Sequence, residues 1–408
     1  MNLSLRILFF CAVSALSGLT VPQSAAKVLQ VGPGKRFAAP CQAIHDAGSG
    51  DTIEIDSSRG YKGDTCSWKT NRLTIRGIGP ARASIDAAGK SAEGKAIWVI
   101  SGDDTVIENI EFSGAAVSDG NGAAIRQEGA NLTIRNCYFH DNEEGILAGD
   151  NPKSSILIEF SEFAQNGSGD GRTHNIYVNH VAKFTMKFCY SHHAKVGHLV
   201  KTRAAENFIL FNRLSDEADG TASFELDISN GGNSYVIGNI IQQGPETQNS
   251  SILAYRMEGS DARNPGSQLY VINNTFVNDR PEGAIFLQIK SDTPKTAVVL
   301  NNIFCGKGTI TTQNSSLPAG NLVTNDPGFV DAAHYDYRLR PNSRARGAGI
   351  QPQVESAFPL LPDQQYLHPA CGASRSNEAK PDLGAIAFAA PGQRLGPARC
   401  QTSDTNGH

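Results

Sequence analysis

LTIRNCYFHDN, residues 132–142, decides the fold. Leu132 and Ile134 alternate with polar residues, Asn136 interrupts, and Phe139 resumes an inward-facing position. Strand, asparagine, strand is too short a unit to bury its own apolar face. The same unit recurs on both sides. Upstream stands TVIENIEFSG (105–114); downstream come ILIEFSEFAQN (156–166), FTMKFCYSHHA (184–194), FILFNRLSDE (208–217), YVIGNIIQQG (235–244), YVINNTFVND (270–279) and VVLNNIFCGKG (298–308).

One equivalent position through these units reads Asn109, Asn136, Phe160, Phe188, Asn212, Asn239, Asn274 and Asn302. The steps are 27, 24, 28, 24, 27, 35 and 28 residues. A near-constant period with two-residue alternation marks a β-solenoid and excludes helical repeats. Ile107, Phe112, Leu132, Ile134 and Phe139 are expected inside, where stacking of coils creates the core. Asparagine suits a tight turn because it tolerates left-handed backbone and bonds neighbouring peptide groups. The expected fold is all-β, a single-stranded right-handed parallel β-helix. A short capping helix over residues 37–47 would cover its N-terminal end. The 35-residue step implies a loop leaving the shaft.

The two ends read differently. Arg6, the apolar run 7–16 and Ser24-Ala25-Ala26 have the pattern of a signal peptide over residues 1–26. Its removal would leave 382 of the 408 residues. Residues 27–350 are read as the β-helix with its cap, and 351–408 as a tail packing on the helix or trailing from it. No later stretch is apolar enough to cross a membrane. The net charge of −4 gives no reason to expect nucleic acid. The chain is therefore expected to be secreted or periplasmic, and monomeric. Cys41 and Cys66, and Cys371 and Cys400, are candidates for disulfides, with the pairing left open. Cys137, Cys189 and Cys305 fall within the repeats and are read as packing residues.

Functional groups gather in one stretch. Five of the ten histidines lie between residues 174 and 198: His174, His180, His192, His193 and His198. Lys201 and Arg203 follow, and one coil later come Glu225 and Asp227. Alternation puts Ile176, Val178, Val200, Thr202, Leu226 and Ile228 inside. It places Tyr177, Lys201 and Asp227 in one outward column and Asn179, Arg203 and Ser229 in the next. Asn175, Leu199 and Glu225 flank them, with His174 and His198 at the strand starts reaching the patch from its edge. Arg126, Arg256 and Glu258 extend it along the shaft. Adjacent coils are about 4.8 Å apart, so the patch is compact.

Two cations, two carboxylates and a phenol suit β-elimination on an acidic polysaccharide. A base removes the proton beside a uronate carboxylate, a cation neutralises that carboxylate, and an acid protonates the leaving group. Lys201 is the candidate base, Arg203 or a bound Ca²⁺ the neutralising cation, and Tyr177, His174 or His198 the proton donor. Glu225 and Asp227 are candidate ligands of Ca²⁺. Two other readings fit the same residues. Glu225 and Asp227, at i and i+2 of a strand, would lie about 6–7 Å apart, within the range of glycoside hydrolase carboxylates. The charged groups could equally form cross-coil ion pairs on a non-catalytic glycan-binding or envelope protein.

The asparagine-bearing coils, the NDPGFVD, DYRL and GAG segments of residues 325–349 and the DLGA of 382–385 resemble secreted β-helix proteins of the pectate-lyase-like superfamily. HLVKTRAAENFILFNR followed by FELDISNGGNSYVIGN resembles the coil pair of alginate lyases and chondroitinase B. That resemblance implies that Lys201 is the base, with carboxylates nearby holding Ca²⁺. In that family the acid is an arginine on the following coil. This sequence has Asp227 there, so Arg203 or a histidine would have to substitute.

Overall fold

The computed structural model describes residues 25–313, 320–375, 379–389 and 400. The expected signal peptide lies, apart from residues 25 and 26, outside them. Three parallel sheets form the shaft, with 11, 11 and 10 strands. The first runs from Val28–Val31 to Val298–Leu300, the second from Tyr61–Lys62 to Leu322–Thr324, and the third from Cys66–Trp68 to Gly308–Thr311. The chain visits the sheets in turn, so each strand pairs with those one coil before and after it. The result is a solenoid of about 11 turns.

Inward columns are apolar throughout. Ile107, Ile134, Ile158, Met186, Ile209, Val236 and Val271 are level with one another on the first sheet and fully buried. Phe112, Phe139 and Phe163 stack on the second at centroid distances of 5.2 and 4.7 Å. Each such side chain contributes roughly 1.5–3 kcal/mol by leaving water. No single coil could bury it alone.

The turn between the first and second sheets corrects the sequence alignment by one residue. Lys187 pairs with Leu210, so Phe188 is level with Phe211 rather than Asn212. The left-handed column is Asn109, Asn136, Phe160, Phe188, Phe211, Gly238, Asn273 and Asn301, all at positive φ. The next residue inward forms a separate buried ladder. Asn212, Asn239, Asn274 and Asn302 each accept the backbone N–H of the residue one coil earlier, at 2.8–3.0 Å. Two neighbouring positions thus favour asparagine for different reasons, and the sequence pattern merged them. Gly238 has φ 69°, and a Cβ there would lie 2.6 Å from the Phe211 ring, so glycine is required.

The only α-helix among the described residues is Pro40–Asp46, resting on the first coil with Ala43 and Ile44 fully buried. A disulfide from Cys41 to Cys66 ties it to the third sheet, and a second joins Cys371 to Cys400. Cys137 and Cys189 are buried thiols, whereas Cys305 is partly exposed. After the last shaft strand, the hairpin of Phe329–Asp331 with Asp336–Leu339 and that of Gln364–Leu367 with Cys371–Ser374 fold back. Tyr337, Leu339, Tyr366 and Leu383 pack on Tyr190, Ile240, Val277 and Ile303 of the second sheet. On the outer face of the third sheet Val99, Leu147 and Tyr177 lie under Ala92 and the polar loop of residues 256–268 lies over Lys201 and Arg203.

Candidate active site on the third sheet

Tyr177, Lys201 and Asp227 are direct ladder partners on three successive coils, as the alternation predicts. Arg126 stands two rungs before Tyr177, at the level of Leu147. The Arg203 amide donates to Val178 and the Ser229 amide to Thr202, which sets Asn179, Arg203 and Ser229 in the adjacent column.

Lys201 Nζ donates to Glu258 Oε1 at 2.7 Å and lies 3.6 Å from Asp227 Oδ2. Arg203 donates through Nε to the Tyr177 hydroxyl at 2.9 Å, through Nη1 to Asn230, and through Nη2 to Glu258. Each oxygen of one carboxylate therefore takes one cation. Both cations also lie near the Tyr177 ring, at 5.7 and 5.8 Å from its centroid. Lys201 and Arg203 keep 12% and 16% of their side-chain exposure, against 41% for Glu258. Burial works against ionised Glu258, yet the hydrogen bonds from Lys201 and Arg203 outweigh it and hold its carboxyl below the ordinary value.

Beneath this fork the groups are dry. Asp227 is buried, which raises its carboxyl, with Lys201 and the Ser229 hydroxyl, 2.7 Å away, acting in the opposite direction. His198 Nε2 is 3.5 Å from Asp227 Oδ2. The His198 amide donates to His174 Nδ1 at 3.0 Å, and the two rings stack at 4.4 Å. Burial, then the Lys201 charge, pushes His198 down to about 3. Burial, then His198, Lys201 and Arg203, holds His174 well below its ordinary value. Both imidazoles are neutral at neutral pH.

Several expected placements are corrected. His174 and His198 do not reach the patch from its edge; they are buried under it. Glu225 does not face outward with Asp227 but is fully buried, as are Leu199 and Asn175 at the same level. These residues stand at the corner where the chain turns in from the second sheet, just before Leu226–Ile228 and its equivalents, so strand alternation does not yet govern them. Asn175 makes the point: its amide turns inward to Phe163 O, Ser191 Oγ and His192 O. Burial, then the Asp216 charge, raises the Glu225 carboxyl well above normal. Asp227 faces Lys201 instead, so the two carboxylates are not the outward pair that the Ca²⁺ and glycosidase readings assumed. Among the described residues, no group of three or more His, Cys, Asp or Glu gathers as a metal centre. Arg256 is also buried, with Nη1 toward Asp292 O.

What the sequence reading lacked is the path of the expected loop, which brings Glu258 onto Lys201 and Arg203. Residues 256–268 leave the shaft after Ser251–Tyr255 and lie back over earlier coils. Asn264 Nδ2 donates to Arg203 O at 2.9 Å, Asn230 Nδ2 to Gly259 O, and Arg263 pairs with Asp261 and Asp150. His180 Nε2 lies 3.1 Å from Asp261. The 35-residue step was the available signal for this loop. Two open hollows, of about 470 and 740 Å³, lie on the first sheet beside residues 354–364 and do not involve Lys201.

A family model described as a right-handed β-helix region matches residues 63–170. Among solved structures, the chain superposes on the pectate lyase Pel9A with a TM-score of 0.63, over 90% of this chain and 97% of that one, at 14% identity. The fold is the pectate-lyase-like right-handed β-helix. Two alginate lyases are also similar to this β-helix at 14% identity. The one from Paenibacillus sp. str. FPU-7 has a TM-score of 0.45, covering 73% of this chain and 97% of that one. A PL6 alginate lyase in complex with a trisaccharide has a TM-score of 0.40, covering 79% and 68%. No curated protein sequence matches the β-helix chain.

Proposed function

We propose that this β-helix is a secreted polysaccharide lyase that cleaves a uronate-containing glycan by β-elimination at Lys201 and Arg203. One observation carries the reading: two partly exposed cations, two residues apart in the chain, hold the two oxygens of one carboxylate. A uronate carboxylate presents the same two oxygens. It would take the place of Glu258, with Arg203 neutralising the charge that grows when the adjacent C–H proton leaves. Lys201, in its amine form, takes that proton. Asp227 and His198 position Lys201 from below. As electrons move from the broken C–H bond into the new C=C, the glycosidic C–O bond breaks. The Tyr177 hydroxyl accepts from Arg203 and so keeps its own hydrogen for the leaving oxygen. The fold shared with a pectate lyase agrees with a glycan substrate, and two disulfides agree with an oxidising, extracytoplasmic compartment.

The satisfied Lys201–Glu258–Arg203 bridge also supports a second reading, a non-catalytic glycan-binding β-helix in which these are structural ion pairs. One experiment separates them. The native protein and Lys201→Ala are incubated with pectate, alginate and glycosaminoglycans while the ultraviolet absorbance of unsaturated uronate is followed. The lyase reading expects product from the native protein on one polymer class and none from the variant, with melting temperature unchanged. No product on any polymer, with oligosaccharide binding retained, would leave the binding reading.

A further inference from the structure

His192 ends the strand Tyr190–His192 of the second sheet, and His193 opens the turn that follows it. Neighbouring residues of a strand normally point to opposite faces. Here His193 is left-handed, at φ 49°, like Asp141 and Gln165 at the same corner of earlier coils. The turn brings the two rings together, at 4.9 Å between centroids and 84° between planes, with Nδ1 2.7 Å from Nδ1. Each outer nitrogen meets a carboxylate. His192 Nε2 lies 3.3 Å from Glu162 and His193 Nε2 3.0 Å from Asp219. Tyr190 stacks on His192 at 4.1 Å, which fixes that ring further. Both histidines remain partly exposed.

Carboxylates on both Nε2 atoms fix the rings with their Nδ1 atoms turned toward each other. A carboxylate behind each imidazole, with the free nitrogens converging, is the arrangement that orients and strengthens histidine metal ligands. The bite decides the kind of metal. Nitrogens about 2.0–2.1 Å from an ion are about 3.4 Å apart at a tetrahedral angle and about 2.9 Å apart at 90°. The 2.7 Å separation needs only slight opening to span adjacent corners of a square-planar or octahedral ion. That geometry, with imidazole donors, favours Cu²⁺ or Ni²⁺ over tetrahedral Zn²⁺.

We propose that His192 and His193 form a two-nitrogen chelate for a divalent late transition-metal ion, with Glu162 and Asp219 as the carboxylates that orient the rings.

Tag-free full-length protein is titrated calorimetrically with Cu²⁺ and with Ni²⁺, and the Cu²⁺ form is examined by electron paramagnetic resonance. One equivalent binds, and the spectrum carries the coupling of two nitrogens. His192→Gln and His193→Asn each abolish that equivalent; asparagine keeps the left-handed turn, and circular dichroism checks the fold. Asp219→Asn weakens binding about 10–100-fold, and Lys201→Ala leaves it unchanged. No binding by the native protein, or an unchanged equivalent in folded His193→Asn, would overturn the proposal.

Discussion

Glu258 stands 57 residues after Lys201 in the chain, yet its Oε1 takes the Lys201 Nζ hydrogen bond at 2.7 Å while Oε2 takes Arg203. The strap from 256 to 268 makes this possible, because Asn264, Asp261 and Arg263 hold it down along the coils it crosses. On the proposed lyase reading, a carboxylate supplied by the protein itself rests where a substrate carboxylate would bind.

If Glu258 competes with the substrate in this way, removing it strengthens binding. Partly exposed ion pairs contribute about 0.2–1 kcal/mol, so Glu258→Gln is expected to tighten binding of an acidic oligosaccharide about one-and-a-half- to fivefold. Calorimetric titration of the two proteins reads this directly. Weaker binding by the variant would mean that Glu258 helps hold the glycan and is not displaced by it.

Tyr177 offers a cleaner test of proton donation than either histidine, since His174 and His198 are buried. Tyr177→Phe keeps the ring beside both cations and removes only the hydroxyl. A lost general acid lowers kcat about 10²–10⁴-fold, with KM and melting temperature little changed. An unaltered kcat would assign the proton to another donor.

The fold was open to sequence reading because it repeats. Eight copies of one unit average away the irregularity of any single coil, and Tyr177, Lys201 and Asp227 align as alternation requires. The failures have local causes. Alternation says nothing at a corner, which is where Glu225, His174 and His198 turn inward. Two adjacent turn positions both accept asparagine, so the alignment slipped between Phe188 and Phe211. The strap has no repeat to compare with. Glu258 was legible as a charge near the patch, but its grip on Lys201 and Arg203 depends on how residues 256–268 fold back.

Stability should depend on pH through two opposed groups of buried residues. His198 falls from 6.5 to about 3 on folding, mainly by burial and then by the Lys201 charge. The unfolded chain therefore binds more protons between these values, and this contribution is lost as pH falls from 6.5 toward 3. Burial raises Asp216 from 3.8 to about 6, against hydrogen bonds from Thr247 and Ala222, so its contribution is lost as pH rises through that window. A shift of about two units corresponds to about 3 kcal/mol. Asp216→Asn should accordingly gain up to about 3 kcal/mol relative to the native protein between about pH 4 and about pH 7. Urea unfolding at the two pH values measures the difference. A constant offset would mean that Asp216 ionises normally in the fold.

The interior ladder allows a mutation whose cost can be counted bond by bond. Asn239 Oδ1 accepts the Asn212 amide at 2.9 Å and its side chain at 3.0 Å, while its Nδ2 donates to Ile209 O at 2.7 Å and Asn274 Oδ1 at 3.0 Å. All of these groups are buried, so deleting the side chain leaves the Asn212 amide without its acceptor and Ile209 O without that donor. An orphaned buried polar group costs about 1–3 kcal/mol. Asn239→Ala is thus expected to destabilise the β-helix by about 2–5 kcal/mol. Asn109→Ala, on the outer left-handed column, gives up the bond to Gly77 O, the one accepted from Asn136 Nδ2 and the tolerance of asparagine for φ 57°. That position is only partly buried, and its cost should be about 1–2 kcal/mol. Unfolding both variants under identical conditions compares the two columns. Equal losses would count against the inner ladder as the principal polar brace of the shaft.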